Sequence, residues 1–175
     1  NSSGTGYGDE VSFTTIAATA PTLTTTSISS ISYRSSSSGG QITSDGNAPI
    51  TEKGIVWSTT TAPTYETNSG KTSNGTGTGN FSSNLSNLQP GTTYYVRAFA
   101  KNAGAIGYGD EKSFSTLPLI VPVLTTTQIS EITSTTAKSG GTITDDGGTS
   151  ITAKGICWST SPNPTIQLST KTLNG

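Results

Sequence analysis

The residues with the most chemistry to offer are carboxylates: the neighbouring pairs Asp9-Glu10 and Asp110-Glu111, and the doublet Asp145-Asp146 with Asp45. A general acid working with a base or nucleophile needs two carboxylates flanking one bond. Neighbours in an extended strand project to opposite faces, so neither Asp-Glu pair can do this. Solvated edge charges that discourage strand addition are the better reading. Asp45, Asp145 and Asp146 suit a Ca²⁺ site in principle, since hard cations gather carboxylate and carbonyl oxygens. Ser44 replaces one acid in the first copy, however, and an Asp-Gly hairpin turn accounts for these residues without a metal.

Histidine is absent, which removes the commonest general base and metal ligand and rules out a Ser-His-Asp or Cys-His arrangement within this chain. Cys157, the single cysteine, lies in an apolar run before Trp158 and reads as a small buried hydrophobe. The run Gly75-Thr76-Gly77-Thr78-Gly79 lacks the preceding strand and following helix of a phosphate loop. Residues 59–79 are therefore expected to be a flexible surface loop. Tyr95, Arg97 and Phe99 form an outward stripe that could stack on a sugar or touch a partner, although cross-strand pairing explains such stripes in most sheets. Asn1, Asn74, Asn80 and Asn84 begin Asn-x-Ser/Thr sequons, relevant only in a glycosylating pathway. No catalytic, cofactor-binding or metal residue is predicted, and the chain reads as a non-enzyme.

Ser and Thr supply 62 of the 175 residues and charged residues only 11%, with a net charge of −1. No basic cluster provides the electrostatic footprint of a nucleic-acid binder. No run approaches the roughly 20 apolar residues of a membrane-spanning helix. Apolar residues alternate in short runs, and abundant Val, Ile, Thr and Tyr suit strands.

What must position these residues is a repeat. Gly6-Tyr7-Gly8-Asp9-Glu10 returns as Gly107-Tyr108-Gly109-Asp110-Glu111, and Pro21, Leu23-Thr24-Thr25-Thr26, Gly39-Gly40 and Trp57 return as Pro122, Leu124-Thr125-Thr126-Thr127, Gly140-Gly141 and Trp158, all 101 residues on. The spacing implies no insertion or deletion, and a period of this length implies a string of domains. Residues 1–19 read as the last strand and linker of one repeat, 20–117 as a complete domain, and 121–175 as the first half of a following repeat. Strands are expected over Pro21–Thr26, about 34–43, 50–58, 94–101 and 108–116, with Trp57 filling the core and Phe114 an inward anchor matching Phe13. Tyr94, Val96, Ala98 and Ala100 should share one face of their strand, and Tyr95, Arg97, Phe99 and Lys101 the other.

Leu88, Pro90, Thr92, Tyr94, Val96 and Ala98 form a Leu-x-Pro-x-Thr-x-Tyr-x-Val-x-Ala pattern. It resembles the corner between the fifth and sixth strands of fibronectin type III domains. The ordered set of Gly39-Gly40, Asp45-Gly46, Lys53-Gly54-Ile55-Val56-Trp57-Ser58 and Tyr94-Tyr95-Val96-Arg97-Ala98 resembles the tandem fibronectin-like repeats of large secreted bacterial proteins. The resemblance implies an all-β fold of tandem antiparallel β-sandwiches of fibronectin type III or immunoglobulin type, with Tyr94 bonding back to the chain at its corner. It departs from the ordinary module in placing Trp57 on the third strand.

Together these features imply a non-catalytic structural or adhesive segment of an extracellular or cell-surface protein, forming a stalk or filament. The alternatives are an accessory spacer or carbohydrate-binding module of a secreted hydrolase, or a fibre or decoration domain of a phage particle. Expected partners are neighbouring repeats of the same chain, other copies in a filament, or a surface glycan or protein ligand. Neither a cofactor, nucleic acid nor a membrane span is expected.

Overall fold

The computed structural model describes residues 2–173, which contain strands, bridges and turns but no helix. Ten strands follow one another: β1 Thr22–Thr25, β2 Ser36–Ser44, β3 Glu52–Ser58, β4 Gly70–Lys71, β5 Gly79–Leu85, β6 Thr93–Lys101, β7 Ile106–Tyr108, β8 Lys112–Ser115, β9 Val123–Thr126 and β10 Gly141–Asp145. One sheet has the order β1-β2-β5 and a second the order β4-β3-β6-β7, with β8 also on β6; β9 and β10 form a third. The architecture is an antiparallel β-sandwich. The described residues gather into two compact units. One holds the chain up to Ser29 with Ser37–Asn84 and Tyr94–Ser113, the other Ser30–Ser36, Leu85–Thr93 and the chain from Phe114.

In the first unit the register follows from alternation. Ile55 opposes Ala98 and Trp57 opposes Val96, and directly opposed residues share a face. Tyr94, Val96, Ala98 and Ala100 are buried on that face with Ile55, while Leu23 on β1 and Ile42 on β2 are buried on the other sheet. Thr25 of β1 accepts a buried hydrogen bond from the Ala98 amide at 2.9 Å, which satisfies a backbone donor that would otherwise be costly. The expected facing of β6 therefore holds.

Three expectations fail here. Trp57 does not fill the core; it is half-buried, its ring lying against Gly70 of the two-residue edge strand β4. A short edge strand supplies too little cover for an indole. Phe99 is not an outward contact residue, because it is 0% exposed. Residues 59–79, expected to be a flexible surface loop, contain β4 and the start of β5, and their first part, 59–69, folds onto the outer face of β3 and β6. Its Pro63 is fully buried and its Tyr65 ring meets Phe99 edge-to-face at 5.2 Å.

The second unit contains buried Leu85, Leu88 and Phe114, and Phe114 is the inward anchor expected. Backbone bonds run from Leu88 N to Arg34 O, Thr116 N to Thr92 O, Leu117 N to Ser32 O and Gly91 N to Leu117 O. β9 and β10 repeat β1 and β2 in register. Gly141 faces Thr126 and Asp145 faces Val123, with an irregularity before Asp145; Gly40 faces Thr25 and Ser44 faces Thr22, with the same irregularity. Farther on, the expected gapless repeat fails. Cys157 bridges Lys171 where Val56 pairs with Lys71, and Thr172 Oγ1 accepts from Ile156 N as Thr72 Oγ1 does from Ile55 N. The offset is 101 at the first partner of each pair and 100 at the second, so one residue is missing from the connection between them.

Candidate functional site

The carboxylates are spent on local structure. Asp45 Oδ1 accepts from Asn47 N at 3.1 Å, Asp145 Oδ1 from Gly147 N at 2.8 Å and Asp146 Oδ1 from Gly148 N at 2.8 Å. These bonds are those of a side chain bracing its own turn. No group of three or more potential metal ligands occurs among the described residues. Asp9, Glu10, Asp110 and Glu111 are exposed, as expected, but none lies in a strand: Asp110 and Glu111 fall between β7 and β8, and residues 4–21, expected to hold the last strand of a repeat, carry none. Glu111 also caps the 59–69 segment by accepting from the Ala62 amide.

The remaining candidates also find structural work. Cys157 is half-buried rather than buried, its thiol directed at Pro164 O at 3.4 Å. The carbonyls of Gly77 and Thr78, in the glycine-rich run, accept from the Lys53 ammonium at 3.1 and 3.5 Å. Lys53 is itself buried, so carbonyl oxygens stand in for the water its charge would otherwise require. Asn74 donates to Ser82 O at 2.7 Å. Asn84 accepts from Ser37 Oγ at 2.9 Å, and Asn80 is exposed. Asn1 lies outside the described residues. Phe13 is 88% exposed and Trp158 51%.

The outer face of β3, β6 and β7 is a fixed aromatic and cationic layer. Lys71 Nζ sits 3.6 Å and Lys101 Nζ 5.3 Å from the Tyr65 ring centroid, and the Tyr65 hydroxyl donates to Glu52 Oε2 at 2.8 Å. The Arg97 guanidinium lies 4.7 Å from the Tyr108 ring, with Nε donating to Gly109 O at 3.0 Å. Each such contact adds roughly 0.5–1 kcal/mol at an exposed site. Stacking positions on this face are thus largely filled from within. Tyr65 escaped notice in the sequence, where a lone aromatic beside Pro63 in a Ser/Thr-rich stretch was its only signal.

One arrangement recurs where the segment before the first strand of each copy meets the turn after its second strand. In the first unit Thr19 N donates to Gly46 O at 2.8 Å; in the second Ile120 N donates to Gly147 O at 3.1 Å. Donors and acceptors are both 101 residues apart. Gly46 and Gly147 have φ of +70° and +74°, and a Cβ there would come within 2.2 Å of Thr19 O and 2.0 Å of Ile120 O. Only glycine fits both demands. Asn102 completes the first clasp, its Nδ2 donating to Thr19 O at 2.7 Å and Asp45 O at 2.6 Å. In the second unit Tyr33 plays the comparable part, its hydroxyl 3.2 Å from each carboxylate oxygen of Asp145. Burial first, then this hydrogen bond, then the charges of Asp145 and Asp146 raise the Tyr33 phenol above its ordinary pKa.

No family model matches the chain, nor does any curated protein sequence. Its neighbours among solved structures are fibronectin type III domains and immunoglobulin-like sandwiches. The sensor domain of the anti-sigma factor RsgI4 of Pseudobacteroides cellulosolvens matches at 15% identity and TM-score 0.41, over 59% of this chain and 100% of that one. The sixth fibronectin type III domain of human fibronectin type III domain containing protein 3 matches at 19% identity and TM-score 0.40, over 66% and 98%. The third fibronectin III domain of human KIAA0343 protein matches at 13% identity and TM-score 0.39, over 69% and 98%. The fold class itself rests on the chain's own strand order and register.

Proposed function

We propose that this chain is a non-catalytic structural segment of an extracellular surface protein, with residues 20–117 forming one complete repeat of a stalk or filament. The observation that carries the reading is the recurrence of the linker clasp, Thr19 to Gly46 and Ile120 to Gly147. A linker free to swivel needs no such bond, and relative motion is the default between domains with small interfaces. Tying each linker to the turn after the next repeat's second strand instead favours extension, as expected of a module whose contacts fall mainly between neighbours. The apolar, proline-bearing Leu117-Pro118-Leu119-Ile120-Val121-Pro122 fits the same purpose, because proline restricts its own backbone and that of the residue before it.

The test is localisation on cells producing the parent protein. Antibodies raised against residues 20–117 should decorate intact cells, and external protease should remove the signal. Labelling seen only after lysis overturns the surface assignment.

A further inference from the structure

We propose that Tyr33 is a latch within the second unit, stiffening the junction between the Ser30–Ser36 loop and the repeat that begins at residue 121, and that the junction before residue 20 lacks it. The latch deepens the stalk reading and rests on it for its purpose, but its geometry stands by itself. The loop bearing Tyr33 is closed by an antiparallel bridge, Ser29 to Ser37, which recurs as Ser130 to Lys138. Ser32 Oγ accepts from Arg34 N and Ser35 N at 3.2 and 3.0 Å, and Thr133 Oγ1 accepts from Thr135 N and Thr136 N at 3.2 and 2.9 Å. The loop is therefore built twice in the same way. At the tip stands Tyr33 in one copy and Ser134 in the next.

The receiving turn differs correspondingly. The Tyr33 hydroxyl reaches Asp145 while its ring lies over Gly148, where a Cβ would come within 2.5 Å of the ring and 2.8 Å of a Leu119 methyl. Gly148 also has φ of +87°. At the matching positions one repeat earlier stand Ser44 and Asn47. Ser44 is too short to reach as Asp145 does, and the Asn47 side chain would occupy the space the ring needs. Receptor and tip are thus matched at this junction. The earlier turn lacks the receptor, and the following loop lacks the tip.

The experiment uses the full chain with nitroxide labels at the exposed positions Ser86 and Thr142, both in the second unit, each changed to Cys, and Cys157→Ser. Electron–electron resonance gives the distance distribution between labels. The parent should give one narrow peak. Tyr33→Ser and Gly148→Asn should each broaden it roughly twofold, towards the freedom expected of a small interface. Asp145→Ser is the cleaner variant, because Ser44 in the earlier turn still accepts from Gly46 N at 3.2 Å, so the turn survives while the tyrosine loses its partner. Ser134→Tyr should leave the width unaltered. A parental distribution as broad as the variants', or unchanged widths in Tyr33→Ser and Asp145→Ser, overturns the latch. Failure here leaves the surface-labelling result untouched, and failure of that labelling leaves the latch standing, so the two are separable.

Discussion

Truncating Phe99 should cost more than truncating Trp57, the reverse of what side-chain size suggests. Phe99 is fully buried on the face of β6 that points away from the other sheet, and its cover is the 59–69 segment. Phe→Ala in a core costs roughly 3–5 kcal/mol, scattered by how far the surroundings collapse into the cavity. The covering segment is held by the bond from Tyr65 N to Tyr108 Oη at 2.8 Å and by Glu111 on Ala62 N, so it can settle only partly. The cavity that remains keeps the cost within that range, at about 3 kcal/mol or more, including roughly 0.5–1.5 kcal/mol from the lost edge-to-face contact with Tyr65. Trp57→Ala leaves a half-covered edge rather than a closed cavity, and about 1–2 kcal/mol is expected. Urea unfolding followed by far-ultraviolet circular dichroism separates the two. With a slope of about 1–3 kcal/mol per molar, Phe99→Ala should lower the midpoint by about 1–3 M. If Trp57→Ala lowers it as much or more, the assignment of the covered outer face as part of the core is wrong.

Asn102→Ala should release the first linker: its buried side chain spans Thr19 O and Asp45 O and accepts from Gly104 N and Ala105 N. A loss of about 1–3 kcal/mol for the stranded partners, with faster amide exchange at Thr19, is expected; unchanged exchange there refutes the clasp. The Tyr33 phenol, raised in the folded chain, should ionise above the usual value near 10. A group whose folded pKa is raised contributes stability that is complete below its unfolded pKa and lost as pH climbs through the folded one. Difference absorbance against Tyr33→Phe should therefore show a midpoint above 10, and one at or below 10 refutes the contact with Asp145.

The sequence and the structure agree where alternation decides the matter. Tyr94, Val96 and Ala98 on one face of β6 are legible because the side-chain period of a strand is two, and the turns at Asp45-Gly46 and Asp145-Gly147 are legible from their residue types. Phe99 and Trp57 were misjudged for a common reason. Periodicity assigns a face but does not say what covers it, and cover depends on a long connection folding back and on which strand lies at the edge. Tyr65, Lys53 and Asn102 were missed because each acts through partners distant in sequence, such as Asn102 on Thr19, 83 positions away. The lost residue between Trp158 and Lys171 was hidden because Ser/Thr-rich stretches align almost equally well in either register.

The repeat also separates what holds a domain together from what sets one junction apart. Residues that build a turn or bridge recur at the same spacing: Gly46 with Gly147, Ser32 with Thr133, and the irregularity before Ser44 with that before Asp145. Substitution there strains a backbone that every copy must adopt. Where a side chain only reaches across a linker, as Tyr33 does, no such demand acts, so the position can change from copy to copy without harm to the sandwich. Adjacent junctions can then differ in stiffness at little cost in folding, since an exposed substitution away from a cap or core usually changes stability by less than about 0.5 kcal/mol. If, as proposed above, the chain is part of a longer stalk, bending should concentrate at junctions where the tip residue is small or the receiving turn carries a side chain in place of Gly148. Comparing labelled junctions of both kinds within one array would decide it: equal widths at matched and unmatched junctions would place the stiffness in the recurring backbone clasp alone.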